Sequence, residues 1–303
     1  MSLTIIQRRA GAELAEAMSD IDSLLEAVER ADGQRPLSDH MWLDLRQGGR
    51  PGFAGLLGVQ DDHDHLVAYC QVSRGNESWS LDLVVHPHHR YEMTTIGPQM
   101  LRAAINIIQA EGGGHVHWWV FEPTPTYTNL AADIGLSPGR TLLQLRAQLP
   151  LKHSTDIETC AFRVGKDEAQ WLDVNNRAFA DHPEQGHWSA ETLASRFATE
   201  WFKPEGLLLH HEDNKLAGFC WTKLHTDTTP LLGEIYVVAV DPAFARRGLG
   251  RALTIAGLQH LSAEGAPVGM LYVAADNLAA LSLYRSLGFT THHTQRAFVG
   301  DVQ

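Results

Sequence analysis

Apolar positions along the 303-residue chain recur with two periods, and the order in which those periods alternate is written twice. Leu14, Met18, Ile21, Leu24, Leu25 and Val28 fall at helical spacing over residues 14–30, and Asp32-Gly33 stops the run. Strand-like runs follow at 55–59, 66–72 and 79–85, separated by the turn pairs Asp61-Asp62 and Gly75-Asn76. A helix over 97–111, a strand over 115–121, a helix over 127–134 and a strand over 142–149 complete the first half. After a polar link at 150–158, helices at 168–179 and 190–198 precede strands at 206–211, 215–224 and 233–240. Helix 248–264, strand 268–273, helix 278–287 and strand 292–299 close the chain. Each half is thus mainly helix, three strands, helix, strand, helix, strand. The pattern predicts an α/β class with an α+β mixed sheet, built as two tandem copies of one fold over 1–150 and 151–303.

Short internal matches support the duplication. Asp82-Leu83-Val84-Val85-His86-Pro87 stands opposite Val237-Val238-Ala239-Val240-Asp241-Pro242, and Ile134-Gly135-Leu136 opposite Leu287-Gly288-Phe289. The copies diverge where chemistry would sit. Trp79 stands opposite Glu234, Ala131 opposite Tyr284, and Glu92-Met93-Thr94-Thr95-Ile96-Gly97 opposite the tighter Arg247-Gly248-Leu249-Gly250.

The strand over 233–240 runs through Asp241-Pro242 into a glycine-bearing loop and then directly into a helix. Glycines there let main chain approach a ligand, and the free N–H groups of a helix start favour an anion. Two arginines, Arg246 and Arg247, add charge, so the stretch predicts a pyrophosphate seat. It carries neither G-x-x-x-x-G-K-[ST] nor a third glycine at dinucleotide-binding spacing.

Composition narrows the partners. A net charge of -12 argues against nucleic acid and suits an amine-bearing substrate. Cys70, Cys160 and Cys220 are scattered, which fits a reducing cytoplasm, and no leader or membrane-spanning run is expected. Among the 17 histidines, His63, His65, His88 and His89 are expected to be solvated and no metal site is expected. Small-molecule substrates and a monomer complete the expectation.

The loop resembles the acetyl-CoA signature of the Gcn5-related N-acetyltransferases, with Ala245 where that signature has Gln or Arg. The segment Leu271 to Phe289, LYVAADNLAALSLYRSLGF, resembles the same family's final motif. The resemblance implies acetyl-CoA as donor and three tasks: freeing an amine, polarising a carbonyl and protonating a thiolate. Glu234, at the start of the coenzyme strand, suits the base; its alternative role is an ion pair with a neighbour such as Lys223. Backbone N–H groups near Val238 suit the carbonyl if the strand is bulged or splayed. Tyr284, two helical turns beyond Asn277, suits the acid; its alternative is a core aromatic. Cys220 as an acyl carrier is weighed against a small buried hydrophobe, and direct transfer is preferred. The first half, lacking acid, base and loop, reads as a degenerate copy that walls a substrate cleft, with coenzyme binding by Leu83, Val85 and Gly97 left open.

Val174 to Trp188, Trp221 to His225, the coenzyme strand and LYVAADN together resemble the mycothiol synthase family; the first half matches it in layout, at Leu83 to Pro87 and at Pro36 to Asp39. That resemblance implies acetylation of the cysteinyl amine of desacetylmycothiol. It implies substrate contacts at Asp39, Glu184, Lys223, Glu234 and Tyr272, although Asp39 and Glu184 read as loop acids by residue type alone. It implies coenzyme contacts at Val238, Ala239 and Val240, and at Ala245, Arg246, Arg247, Gly248, Leu249, Gly250 and Arg251. Asn277, Leu278, Ala279, Ala280, Leu281 and Ser282 form the third coenzyme segment. A tandem acetyltransferase for another amine, or a non-catalytic acyl-CoA sensor, are the alternative functions.

Overall fold

The computed structural model describes residues 3–75, 78–180 and 185–303. It divides into two compact units: 1–141 with 294–303, and 142–293. The first unit is discontinuous in sequence, because the strand that pairs with its β5 is the last of the chain.

In the first unit, β1 (Thr4–Arg9), β2 (Ala54–Val59), β3 (Ala68–Arg74) and β4 (Trp79–Val85) pair antiparallel in sequence order. Next comes β5 (Gly114–Phe121), parallel to β4 only from Trp79 to Leu81. The strand on its other side is the last of the chain, β12 (Thr290–Val302), paired from Gln295 to Val302. Helices α1 (Ala12–Asp32) and α2 (Asp39–Arg46) cover one face, where Leu14, Ile21, Leu24 and Leu25 bury against Tyr69 and Val84. Helices α3 (Met93–Ala110) and α4 (Pro125–Asp133) cover the other, with Ile96, Met100, Ala104 and Ile108 against Val116, Trp118 and Phe298. The patterns of apolar residues at three- and four-residue spacing on α1 and α3 produce these two layers.

The second unit repeats the plan. Strand β6 (Ser137–Gln148) supplies Leu142–Gln148 to pair with β11 (Val268–Ala274). The order continues through β10 (Leu232–Val240), β9 (Lys215–His225), β8 (Leu207–Glu212) and the two-residue β7 (Cys160–Ala161). Helices α7 (Leu249–Ala263) and α8 (Leu278–Ser286) bury Leu253, Leu258, Leu261, Leu281 and Tyr284 on one face. Helices α5 (Glu168–Ala178) and α6 (Ala190–Phe197) cover the other with Trp171 and Leu193, packed with Phe219 and Trp221.

Four differences from the sequence reading matter. Strand 142–149 pairs with β11 of the second unit and the final strand with β5 of the first, where the sequence order suggested the reverse; pairing is made by main chain, so either strand satisfies the donors and acceptors of its neighbour. β1 and α2 were not marked by the apolar pattern, and Asp39 is the first residue of α2, not a loop residue. The stretch opposite the glycine loop is helical from Met93, and Gly97 is buried inside α3, where an added Cβ would lie 2.9 Å from Leu130 Cδ1. His89 is 2% exposed and is not solvated. Among the described residues no helix is long and apolar enough to cross a membrane.

Candidate active site

Strand β10 organises the second unit's site. It runs parallel to β11 over only three residues, Leu232↔Val268, Gly233↔Gly269 and Glu234↔Met270. Both strands continue for several residues beyond that register, so the sheet parts after Glu234. On its other side β10 stays paired with β9, with a bulge between Ile235 and Val237 that leaves Tyr236 as the extra residue. Either a splay or a bulge was the condition for main-chain donors near Val238 to serve a ligand, and β10 has both. Gly218 and Gly257 let the layers close on this strand: a Cβ on Gly218 would meet Ala239 O at 2.7 Å, and one on Gly257 would run into Cys220 Sγ.

Beyond Val240 the chain is pinned before it turns. The Asp241 carboxylate accepts from Ala243 N at 2.9 Å and from Arg177 Nη2 at 2.5 Å, while Asp241 N donates to Ala217 O. Burial alone would raise this carboxyl, but the bonds from Arg177 and Ala243 outweigh it and hold the group below its usual range. Ala245 is extended, Arg246 has φ +65 and Gly248 has φ +80 as the residue preceding α7. That left-handed turn favours glycine, and no side chain caps the helix, so its first N–H groups lack intrahelical acceptors. Ala245, Arg246, Arg247 and Gly248 are all exposed. Arg247 donates to Glu212 at 2.7 Å, and Arg251 to Ser286 at 2.8 Å. Open donors, no Cβ and exposed guanidinium charge fit a phosphate group.

The third segment is more divided than the sequence implied. Asn277 caps α8, its Oδ1 accepting from Ala280 N at 3.1 Å. Leu278, Ala279 and Ser282 are exposed and Ala280 is half-buried, whereas Leu281 points its side chain into the core. Ala239 likewise packs into the aromatic core, while Val238 and Val240 pack against the α7 side.

Glu234 is 7% exposed and its Oε2 lies 2.7 Å from His225 Nε2. His225, not Lys223, is its hydrogen-bond partner in the structure. Lys223 is the cross-strand neighbour of Glu234, and its Nζ sits 5.1 Å from the centre of the Trp201 ring. Strand alternation places Tyr272 on the same sheet face as Glu234, two residues beyond Met270. Tyr272 is 40% exposed, and its hydroxyl accepts from Gln144 Nε2 at 2.7 Å while Gln144 Oε1 accepts from Arg146 Nε at 2.9 Å. One face therefore gathers a carboxylate, an imidazole, an ammonium, a phenol and a guanidinium.

Tyr284 belongs to the opposite face, 7% exposed and with its ring 6.0 Å from Phe289. Burial, with the nearby Cys220 thiol adding to it, pushes its hydroxyl up to about 12, so it is a phenol and not a phenolate at neutral pH. Burial also pushes the Cys220 thiol up to about 12, which makes it a packing residue and a poor nucleophile. Glu184 lies outside the described residues, and of Asp39 only the backbone is described.

His225, Gln144, Arg146, Trp201 and Tyr236 were missed by sequence reasoning. A signal existed for two of them: Gln144 and Arg146 alternate with Leu143, Leu145 and Ala147, so one strand face is polar although Gln144 is 4% exposed. Buried polar residues on an alternating strand mark a site more often than a surface.

Residues 169–289 match the acetyltransferase (GNAT) family model. A mycothiol acetyltransferase of Acidimicrobium ferrooxidans is 39% identical over 287 residues, covering 92% of this chain and 92% of its own. Among solved structures, a GCN5-related N-acetyltransferase from Sphaerobacter thermophilus superposes with a TM-score of 0.73 at 24% identity, covering 99% of this chain and 96% of that one. A tandem GNAT protein from the clavulanic acid biosynthesis pathway superposes with a TM-score of 0.69 at 14% identity, covering 100% and 99%. At those identities the two structures speak for the fold, which is the tandem acetyltransferase fold expected from the duplicated pattern.

Proposed function

The chain belongs to the mycothiol acetyltransferase family of Gcn5-related N-acetyltransferases, and from that premise we propose that it transfers acetyl from acetyl-CoA to the cysteinyl amine of desacetylmycothiol, giving mycothiol and CoA. The observation that carries the reading is β10 itself. One strand bears a carboxylate paired to an imidazole, parts from its neighbour beyond that carboxylate, and leads into an uncapped helix start opened by Gly248.

Acetyl-CoA, when bound, supplies an activated thioester carbonyl. The N–H groups from Gly248 to Arg251, with Arg246 and Arg247, are suited to its pyrophosphate. The unpaired edge of β10 around Val238 offers main-chain donors to the carbonyl oxygen, where charge grows during attack. Glu234, oriented by His225, accepts the proton that the substrate ammonium must lose. Tyr284, which burial keeps protonated at neutral pH, is assigned the proton that goes to the departing sulfur. Transfer is direct, since the buried Cys220 thiol is unsuited to carry the acetyl group.

The amine substrate, a cysteine on a glucosaminyl-inositol, presents hydroxyls and one ammonium. Lys223, Tyr272 and Glu234 supply a donor, an amphoteric hydroxyl and an acceptor on one face, and Asp39 and Glu184 are assigned to the same substrate by family resemblance. The first unit is read as a degenerate copy without turnover, and the protein as a cytoplasmic monomer acting on small molecules. Incubation with acetyl-CoA and desacetylmycothiol, following CoA release and product mass, tests the function. A stoichiometric acetylated product supports it; acetyl-CoA binding without any acetylated product across substrate concentrations rejects it.

A further inference from the structure

Three histidines that the acetyl transfer does not use come together in the first unit. His63 and His65 lie in the loop between β2 and β3, and His89 lies in the 3-10 turn Pro87–Glu92 that follows β4. One ring nitrogen from each lies within 4.8 Å of the others. His65 Nε2 and His89 Nε2 face each other at 3.2 Å. The His63 ring centre is 4.5 Å from that of His89 and 5.3 Å from that of His65.

The remaining nitrogens decide what that approach means. His89 Nδ1 lies 3.3 Å from Glu92 Oε1, and His65 Nδ1 lies 3.3 Å from Asp64 Oδ1. In the tautomer in which each Nδ1 carries the proton and donates to its carboxylate, both Nε2 atoms present lone pairs to each other. Two lone pairs at that distance repel unless a cation lies between them. A single shared proton would serve two rings, but it gives the third histidine no role. A tetrahedral zinc centre, with Zn–N near about 2.0–2.1 Å, needs nitrogens roughly 3.3–3.4 Å apart and takes three imidazoles readily. Carboxylates behind the ligating rings are the usual orienting partners of such histidines. Glu92 is itself held, its Oε2 accepting from the buried Gln60 Nε2 at 3.5 Å. A pocket lined by Asp20, Val59, His63, Asp64, His65 and Leu66 opens beside the cluster, leaving room for water as a fourth ligand.

We propose that His63, His65 and His89 bind one Zn²⁺, or a divalent ion of like preference, and so tie the β2–β3 loop to the turn that starts α3. This site is independent of the acetyl transfer: it clasps the first unit and touches no group assigned to the reaction. One of its three ligands, His89, stands on the turn after β4, the counterpart of the coenzyme loop after β10.

The test uses the untagged full chain, stripped with a chelator and titrated with Zn²⁺ against a chromophoric chelator, and with Co²⁺ followed by its visible absorption. One saturable equivalent with the intense bands of a low-coordinate Co²⁺ is expected. His63→Ala and His65→Ala, both at half-exposed positions that should not disturb folding, are each expected to weaken binding by roughly 100-fold, and Glu92→Gln by roughly 10-fold. Zn²⁺ should raise the Tm of the parent protein and leave that of His65→Ala unmoved. Absence of saturable binding, or one equivalent that persists in both alanine variants, overturns the proposal. So does binding that is lost instead on His292→Ala with His293→Ala.

Discussion

The loop after β4 and the loop after β10 begin alike and end differently. Each opens with a strand that leaves its parallel partner after three paired residues, and each turns at a capping residue followed by proline, His86-Pro87 or Asp241-Pro242. In the second unit the turn passes through Arg246 and Gly248 at positive φ into an uncapped helix flanked by guanidinium groups. In the first, the residue before α3 is Glu92, whose carboxyl is held below its ordinary range by hydrogen bonds from Tyr91 and His89. Neither helix start has a side-chain cap, but a lasting negative charge beside α3 offsets its dipole and repels a pyrophosphate. β4 also pairs with β3 without the bulge seen between β10 and β9. Duplicated folds thus keep the splay, which is a property of the sheet, and lose the loop and bulge, which are properties of a ligand site.

Substitutions on the two sides should separate along that line. The largest effect is expected from Glu234→Gln and Tyr284→Phe, each lowering kcat by roughly 10²–10⁴ with acetyl-CoA affinity retained, measured by CoA release. A kcat within a factor of three of the parent in either variant would remove that residue from the proton path. Next, Gly248→Val forces a β-branched residue to φ +80 and should weaken acetyl-CoA binding by at least about tenfold, with a backbone-strain cost of about 1–3 kcal/mol in stability. Its counterpart Gly97→Ala presses on Leu130 and should cost about 1–3 kcal/mol of stability while leaving acetyl-CoA affinity unchanged. Calorimetric titration and thermal melts read both, and affinity lost in Gly97→Ala but kept in Gly248→Val would undo the comparison.

A smaller effect concerns pH. Burial raises the Asp82 carboxyl to about 7 even though Ser38 donates to it from both its N–H and its hydroxyl. The folded protein then holds a proton there that the unfolded chain has lost, so stability falls as pH rises from about 4 to about 7. Both Ser38 bonds go to one oxygen, which an amide retains. Asp82→Asn is therefore expected to flatten that pH dependence and to gain about 1–3 kcal/mol at pH 8, seen in urea melts at several pH values. An unchanged slope between pH 4 and 7 would contradict it.

The strand, loop and helix around Gly248 were legible because their residues are contiguous and each obeys a local rule: β-branched strand, glycine turn, apolar helix period. So was the duplication, and with it the fold class. The strand exchange was not legible, since main-chain pairing leaves no mark on which edge a strand joins. The bulge at Tyr236 is a register event and shows only against its partner strand. His225 and Glu234 are nine residues apart on neighbouring strands, and only the pairing of β9 with β10 brings them to 2.7 Å. The His63, His65 and His89 cluster joins two loops about 25 residues apart, which spacing rules for a single helix or hairpin do not detect.

Under the proposed function the second unit alone holds the acyl donor. Calorimetric titration of acetyl-CoA into the full chain tests it most directly when the Gly248→Val variant is measured alongside. The account predicts one equivalent bound per chain by the parent protein and at least about tenfold weaker binding by the variant. Two equivalents, or one equivalent whose affinity survives Gly248→Val, would contradict it.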